Sequence, residues 1–317
     1  MGTSIAQVVA ANGYKVNLWN HSGDLEPLAQ IREKKENINY LPGVKLSDNI
    51  NPEPDIAKAV LGADVIFTTV PSNFFASVMK QVAQHIGKRA ICVDVSKGMD
   101  EKTLDLTSKI LAKLLPKNKI AAISGPAIAR QMVMGNFTAM NVASADARVI
   151  GVVKKIMESK NLKLLATKDI VGVEVSGSFK NVYAIAMGIC DSLSISTNTK
   201  AVLFVVALQE MGLLVKKMGG KPETVAGLAG LGDLLGTGLA EGSRNRKLGE
   251  FLAQGMSLDE AAAKVGQVVE GVSAARVLNS LSKKYKLKTP LADTISQIIL
   301  GKVDPKTGIE HFLANLS

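Results

Sequence analysis

Ile170-Val-Gly-Val-Glu-Val-Ser-Gly-Ser-Phe-Lys-Asn-Val-Tyr-Ala-Ile-Ala-Met-Gly-Ile189 divides the 317-residue chain into two kinds of protein. Its apolar residues recur at helical spacing, and nothing after it reads as a comparable strand. Within it, a single lysine, Lys180, sits in a run from Ser176 to Gly188 that is otherwise small and apolar. Charged side chains are rarely buried unless they are paired. A desolvated ammonium holds its proton less tightly, so its pKa falls towards neutrality, as a general acid/base requires. A lysine on an amphipathic helix can instead snorkel to the surface. Residues elsewhere in the chain favour the first reading.

Before this stretch, short β-branched runs alternate with amphipathic ones. Strands are predicted over 15–19, 64–70, 90–96, 120–124 and 138–143, with a further candidate over 162–166. Helical patterns lie between them, for example over 4–12, 73–85 and 103–115. Such alternation predicts a parallel, doubly wound α/β sheet. After it, the helical period continues over 201–218, 248–253, 258–265, 272–285 and 291–300, which predicts an all-helical domain. The expected division is a sheet domain over 1–167 and a helical domain over 168–317.

Composition narrows the function. With 47% hydrophobic residues the chain can bury sizeable cores, and disorder is not expected. No uncharged apolar run approaches the roughly 18 residues that span a bilayer, so no integral membrane segment is predicted. Cys92 and Cys190 sit in apolar surroundings and read as reduced core residues of a cytosolic protein. Histidines and cysteines show no metal-ligand spacing. The net charge of +10 admits nucleic acid, an anionic surface or an anionic small substrate. The lysines occur singly or in pairs and aromatics are only 4%, which argues against a nucleic-acid platform.

Met1-Gly2-Thr3-Ser4-Ile5-Ala6-Gln7 reads as the helix that follows a dinucleotide-binding glycine turn, with Gly2 in the place of the third glycine. On that reading the first strand and the first two glycines lie outside this sequence, together with the amides that hold a pyrophosphate. The next strand ends Trp19-Asn20-His21, without the carboxylate that disfavours a 2′-phosphate, so NADP is admitted beside NAD.

Five loops add candidate site residues. Val95-Ser-Lys-Gly98 places Lys97 after a buried strand, at the carboxyl edge of the sheet. Ser124-Gly-Pro126 also ends a strand, and its proline suits a helix start with amides left free for an anion. Gly227-Leu-Ala-Gly-Leu-Gly-Asp233 sets a carboxylate beside a glycine-rich turn, either to cap a helix or to orient Lys180. Glu241-Gly-Ser-Arg-Asn-Arg246 offers Ser243, Arg244 and Asn245 as consecutive donors suited to phosphate oxygens. Gly266-Gln-Val-Val-Glu-Gly271 sets Glu270 in an apolar segment.

At these residues the chain resembles bacterial NAD(P)-dependent glycerol-3-phosphate dehydrogenases. The ordered set of motifs carries the resemblance: Lys97-Gly98, Ser124-Gly-Pro126, Phe179-Lys-Asn-Val182, Gly230-Leu-Gly-Asp233, Ser243-Arg-Asn-Arg246 and Gly266-Gln-Val-Val-Glu-Gly271. The resemblance implies a Rossmann-like domain followed by a helical domain, with the active site in the cleft between them, in a cytoplasmic homodimer. It implies reversible oxidoreduction of sn-glycerol 3-phosphate and dihydroxyacetone phosphate with NAD or NADP, supplying glycerol 3-phosphate for phospholipid synthesis. Lys180 is then the catalytic acid/base. Lys97, Gly125, Asp233, Ser243, Arg244 and Asn245 contact substrate. Gly2, His21, Lys97, Ala129, Arg244, Val268 and Glu270 contact the cofactor. Ala127 stands where the family usually carries a hydroxyl, so one substrate hydrogen bond is expected to be lost. The missing glycine turn predicts weak cofactor binding. It also motivates the alternative, a catalytically weak remnant that binds a phosphate ligand or a partner.

Overall fold

The structure is a computed structural model that describes residues 1–240 and 242–316. Glu241, which opens the donor-rich loop, and Ser317 lie outside the described residues. The chain divides into two compact units, Met1–Ser96 with Thr107–Ile170, and Lys97–Leu106 with Val171–Ser317. The first is α/β and the second is helical.

In the first unit the order is α1 (Gly2–Ala11), β1 (Val16–Leu18), α2 (Glu26–Lys34), β2 (Ile50–Pro52), α3 (Ile56–Val60), β3 (Val65–Thr68) and α4 (Ser72–Val82). Then follow β4 (Ile91–Asp94), α5 (Thr107–Leu114), β5 (Lys119–Ser124), α6 (Ala129–Val133), β6 (Thr138–Ala143), α7 (Ala147–Met157) and β7 (Leu162–Thr167). The six predicted strands all form, and β2 is an addition. Its three residues, Ile-Asn-Pro, are too few and too polar for a periodic signal.

The strands form two sheets. β1 pairs with β2, and β3-β4-β5-β6-β7 form the other sheet in that order. Every pair is parallel except β5 with β6, which is antiparallel. The five residues of α6 rise only about 7.5 Å, against the roughly 20 Å of strand that a parallel crossover must retrace. Among the described residues no strand joins β1 to β3. The apolar packing nevertheless runs through the break. Ile5 and Val9 of α1 share one cluster with Val16, Val65, Phe67 and Val93. Helix α1 buries Ser4, Ile5, Ala6, Val9 and Ala10, one face at helical spacing.

In the second unit α8 (Ile170–Ser192) is buried at every residue over 172–190. A helix apolar all round belongs in the middle of its unit. Around it come α9 (Thr197–Lys217), a 3-10 turn (Pro222–Ala226), a π turn (Leu228–Gly232), α10 (Asp233–Gly238), α11 (Arg244–Ala253), α12 (Leu258–Val265), α13 (Glu270–Tyr285), α14 (Pro290–Ile299) and α15 (Pro305–Ala314). By length and composition alone α9 is apolar enough to cross a membrane. In the fold one of its faces is core, including Leu203, Ala207, Met211 and Leu214. Its buried Glu210 accepts the Leu291 and Ala292 amides and the Tyr183 hydroxyl.

The loop Lys97–Leu106 leaves β4 but belongs to the helical unit. Met99 and Leu106 bridge to each other and lie in the helical core. Lys97 therefore follows a sheet strand, as expected, yet its side chain is grouped with α8 and α10.

Candidate active site

Three charged side chains meet inside the helical unit. Lys180 projects from the middle of α8 and is only 5% exposed. Asp233, 2% exposed, is the first residue of α10. One Asp233 oxygen accepts Lys180 and the other accepts Lys97. Thr237, one turn after Asp233, takes a further hydrogen bond from Lys180. Asp233 thus orients Lys180 rather than capping its own helix, whose N-cap is Gly232.

The glycine-rich turn makes this placement possible. A Cβ at Gly230 would overlap the Val225 carbonyl, so the π turn lies directly against the 3-10 turn before it. Single π turns often accompany functional sites because they redirect the next residue. Here that residue is Asp233.

Burial and charge divide the protons. Burial pulls Lys180 down to about 7; Asp233 opposes the fall and the Lys97 ammonium adds to it. Burial acts most strongly on the Lys97 ammonium and against it, but Asp233, with smaller help from Lys180 and Glu270, holds Lys97 above its ordinary value. The asymmetry has a physical source. The Lys97 side chain is 18% exposed and that of Lys180 is 6% exposed, so the better-solvated partner keeps its proton. Burial would raise the Asp233 carboxyl, yet the two ammoniums hold it below the usual carboxylate range.

A second polar group lies on the next residue of α8. Asn181 accepts the Asn245 amide at 2.9 Å and donates to Glu270 at 3.3 Å. Asn245 in turn accepts the Gly271 amide at 2.9 Å. These bonds tie α8, α11 and α13 together. Ser243 is the N-cap of α11, and its hydroxyl accepts the Arg246 amide. Arg244 is exposed and donates to the Val268 carbonyl at 2.9 Å. Its fork retains further donors for an anion. Asn245 is 8% exposed and already bonded at both ends of its amide, so it is as much a brace as a donor.

The helical unit thus holds Lys97, Lys180, Asp233, Ser243, Arg244, Asn245, Val268 and Glu270. Gly2, His21, Gly125 and Ala129 belong to the sheet unit. Gly2 opens α1, where a Cβ would lie 2.8 Å from the Thr69 hydroxyl. The exposed His21 follows β1 and accepts the Gly23 amide. Gly125 follows β5 at φ +155° against Met140, and Ala129 opens α6. Sequence reasoning missed Asn181 and Thr237. Asn181 carried the same signal as Lys180, a polar residue in a buried run. The i,i+4 spacing of Asp233 and Thr237 was the available sign of the other.

Comparisons with known proteins identify the family. Residues 1–150 match the family model for the NAD-dependent glycerol-3-phosphate dehydrogenase N-terminus, and residues 169–310 match that for its C-terminus. The glycerol-3-phosphate dehydrogenase (NAD(P)+) of Bacillus subtilis strain 168 is 37% identical over 316 residues, 99% of this chain and 91% of that one. The enzyme of the same description from Azotobacter vinelandii is 35% identical, over 98% of this chain and 94% of its own. The crystal structure of glycerol-3-phosphate dehydrogenase from Coxiella burnetii superposes with a TM-score of 0.94 at 31% identity, covering 98% of this chain and 95% of that one. The chain belongs to the NAD-dependent glycerol-3-phosphate dehydrogenase family.

Proposed function

We propose that Lys180 is the acid/base of an NAD(P)-dependent oxidoreduction that interconverts dihydroxyacetone phosphate and sn-glycerol 3-phosphate. The observation that carries this reading is the buried Lys97–Asp233–Lys180 cluster, in which one lysine is brought to about 7 and the other is kept charged. A group near neutrality gives up and regains its proton at the working pH with little penalty. In the reducing direction the Lys180 ammonium protonates the carbonyl oxygen. In the oxidising direction the neutral amine takes the hydroxyl proton. Asp233 and Thr237 fix the Nζ position throughout. Bound NAD(P)H supplies the hydride, and NAD(P)+ accepts it in reverse.

Substrate selection is assigned to the second polar group. Arg244 reads the phosphate, with Ser243 and Asn245 beside it and Asn181 as a further donor. The phosphate is not altered in the reaction, so a grip on it turns binding energy into orientation of the reacting carbon. Lys97 serves both substrate and cofactor. Gly125 is a further substrate contact, where the backbone turns at the end of β5.

The sheet unit fits a dinucleotide. Helix α1 begins without a side-chain cap, and Gly2 brings its backbone against Thr69 at the end of β3. Uncapped amides at a helix start beside the carboxyl end of a parallel strand suit a pyrophosphate. Gly2 and Ala129 open such helices, and His21 follows the end of β1; all three are assigned to the cofactor. Arg244, Val268 and Glu270 are the contacts assigned in the helical unit. Nothing in the comparisons favours a non-catalytic phosphate binder instead.

A homodimer and a cytoplasmic setting, supplying glycerol 3-phosphate for phospholipid synthesis, complete the proposal. The exposed apolar residues Val202, Val205 and Leu213 on α9 support self-association. The test is direct. Purified protein should oxidise NADPH or NADH when given dihydroxyacetone phosphate and do so far more slowly with unphosphorylated dihydroxyacetone. Equal turnover of the two compounds would overturn the phosphate assignment. Absence of turnover with either cofactor would overturn the reaction.

A further inference from the structure

Lys97 lies at the start of a loop, and loops do not by themselves hold a charge in place to a fraction of an ångström. Two anchors of the Lys97–Leu106 loop are apolar: Met99 and Leu106 in the helical core. A third is polar. The Ser178 hydroxyl accepts the Gly98 amide at 2.9 Å, and it donates to the Glu174 carbonyl one turn back at 2.7 Å. Ser178 is 2% exposed and lies two residues before Lys180 on α8. Its bond to Glu174 fixes the hydroxyl hydrogen and leaves an oxygen lone pair directed at the loop. Gly98 meets it at φ +113°, in the left-handed region that favours glycine.

We propose that Ser178 is a positioning residue that sets Lys97 against Asp233 and Lys180 by gripping the amide of the residue that follows Lys97. The same helix then carries the acid/base and the anchor of the charge beside it. The distance between the two ammoniums is fixed by one rigid element instead of by a loop.

The consequence has a definite sign. The Lys97 ammonium lowers Lys180 by its charge. Removing the anchor lets Lys97 drift from the cluster. Asp233 is then left more fully to Lys180, and both changes raise Lys180. In the reducing direction, which needs the ammonium, the alkaline limb of kcat moves to higher pH.

The inference rests on Lys180 as the acid/base, and the experiment separates the two claims. The pH dependence of kcat for dihydroxyacetone phosphate reduction is measured for the parent enzyme, Ser178→Ala, Ser178→Thr and Lys180→Ala. Ser178→Ala should move the alkaline limb upward by about 0.5 unit or more. Amide hydrogen exchange over 97–106 should quicken in the same variant. Ser178→Thr keeps a hydroxyl that can bond one turn back, and it should restore both. An unmoved limb or unchanged exchange in Ser178→Ala overturns the inference, whatever happens to the size of kcat. Near-normal kcat in Lys180→Ala overturns the acid/base assignment instead.

Discussion

The two units solve the burial of polar groups differently. In the helical unit every charge of the central cluster has its partners within the unit: Lys97, Lys180, Asp233 and Thr237 bond one another. In the sheet unit the ladder is interrupted, with β1–β2 and β3–β7 as separate sheets. Apolar packing through α1 bridges the interruption, but hydrogen bonds between strands do not. Apolar contact is non-directional and tolerates a break in a ladder. A charged cluster requires each donor and acceptor in place. The chemistry is therefore expected to be rigid in the helical unit, and the sheet unit is expected to open more easily.

The largest effect should come from the helical cluster. Lys180→Ala should lower kcat by roughly 100-fold to 10,000-fold, the usual contribution of general acid/base catalysis. KM should change far less. A kcat within a few fold of the parent would remove Lys180 from the mechanism.

Arg244→Lys tests the substrate side of the same unit. It keeps the charge and loses the bidentate fork. Loss of one hydrogen bond to a charged group is worth about 1.5–3 kcal/mol, so kcat/KM for dihydroxyacetone phosphate should fall roughly 10-fold to 100-fold. Unphosphorylated dihydroxyacetone should remain an equally poor substrate. The same fractional loss with both compounds would show that Arg244 does not read the phosphate.

Much of this was legible in the sequence, for identifiable reasons. Lys180 announced itself as one charge in a buried run, and Asp233 as a carboxylate after a glycine-rich turn. The strands of the sheet unit were readable because buried parallel strands are near-continuous apolar runs. Other features carry no such signal. The antiparallel pairing of β5 and β6 follows from the shortness of α6, which composition does not show. Ser178, Asn181 and Thr237 are small polar residues in helices, where such residues usually serve only local hydrogen bonds. Their importance lies in which loop or carboxylate the fold brings to them. Asn245 was read as an anion donor, and the fold gives it a bracing role as well.

Glu210 tests the helical unit away from the chemistry. Its carboxyl is raised from 4.5 to about 7, chiefly by burial, against the lowering by hydrogen bonds from Leu291, Tyr183 and Ala292. The folded state thus holds this proton more tightly than the unfolded one. That stabilisation is complete below the unfolded value and is lost as pH rises through about 7. Tm should therefore fall by a few degrees between about pH 5 and pH 8. Glu210→Gln should flatten that slope. An unchanged slope in the variant would place the pH dependence elsewhere.

The smallest effect concerns the break in the sheet. Amides of β1 and β3 that face away from β2 and β4 have no strand partner among the described residues. They should exchange with solvent at least about tenfold faster than amides of β4 and β5, which are paired on both sides. Equal protection in all four strands would show that these edges are covered and that the break in the ladder does not loosen the sheet unit.

The central claim is that Lys180 is brought to neutrality inside a cluster that keeps Lys97 charged. Titrating the lysine side chains of isotope-labelled enzyme by nitrogen NMR, with Lys180→Met to assign the signal, reads it without turnover. The account predicts that the Lys180 ammonium titrates near 7 while Lys97 keeps its proton to above the ordinary lysine value. A Lys180 signal that titrates at the ordinary lysine value, near 10.5, would contradict it.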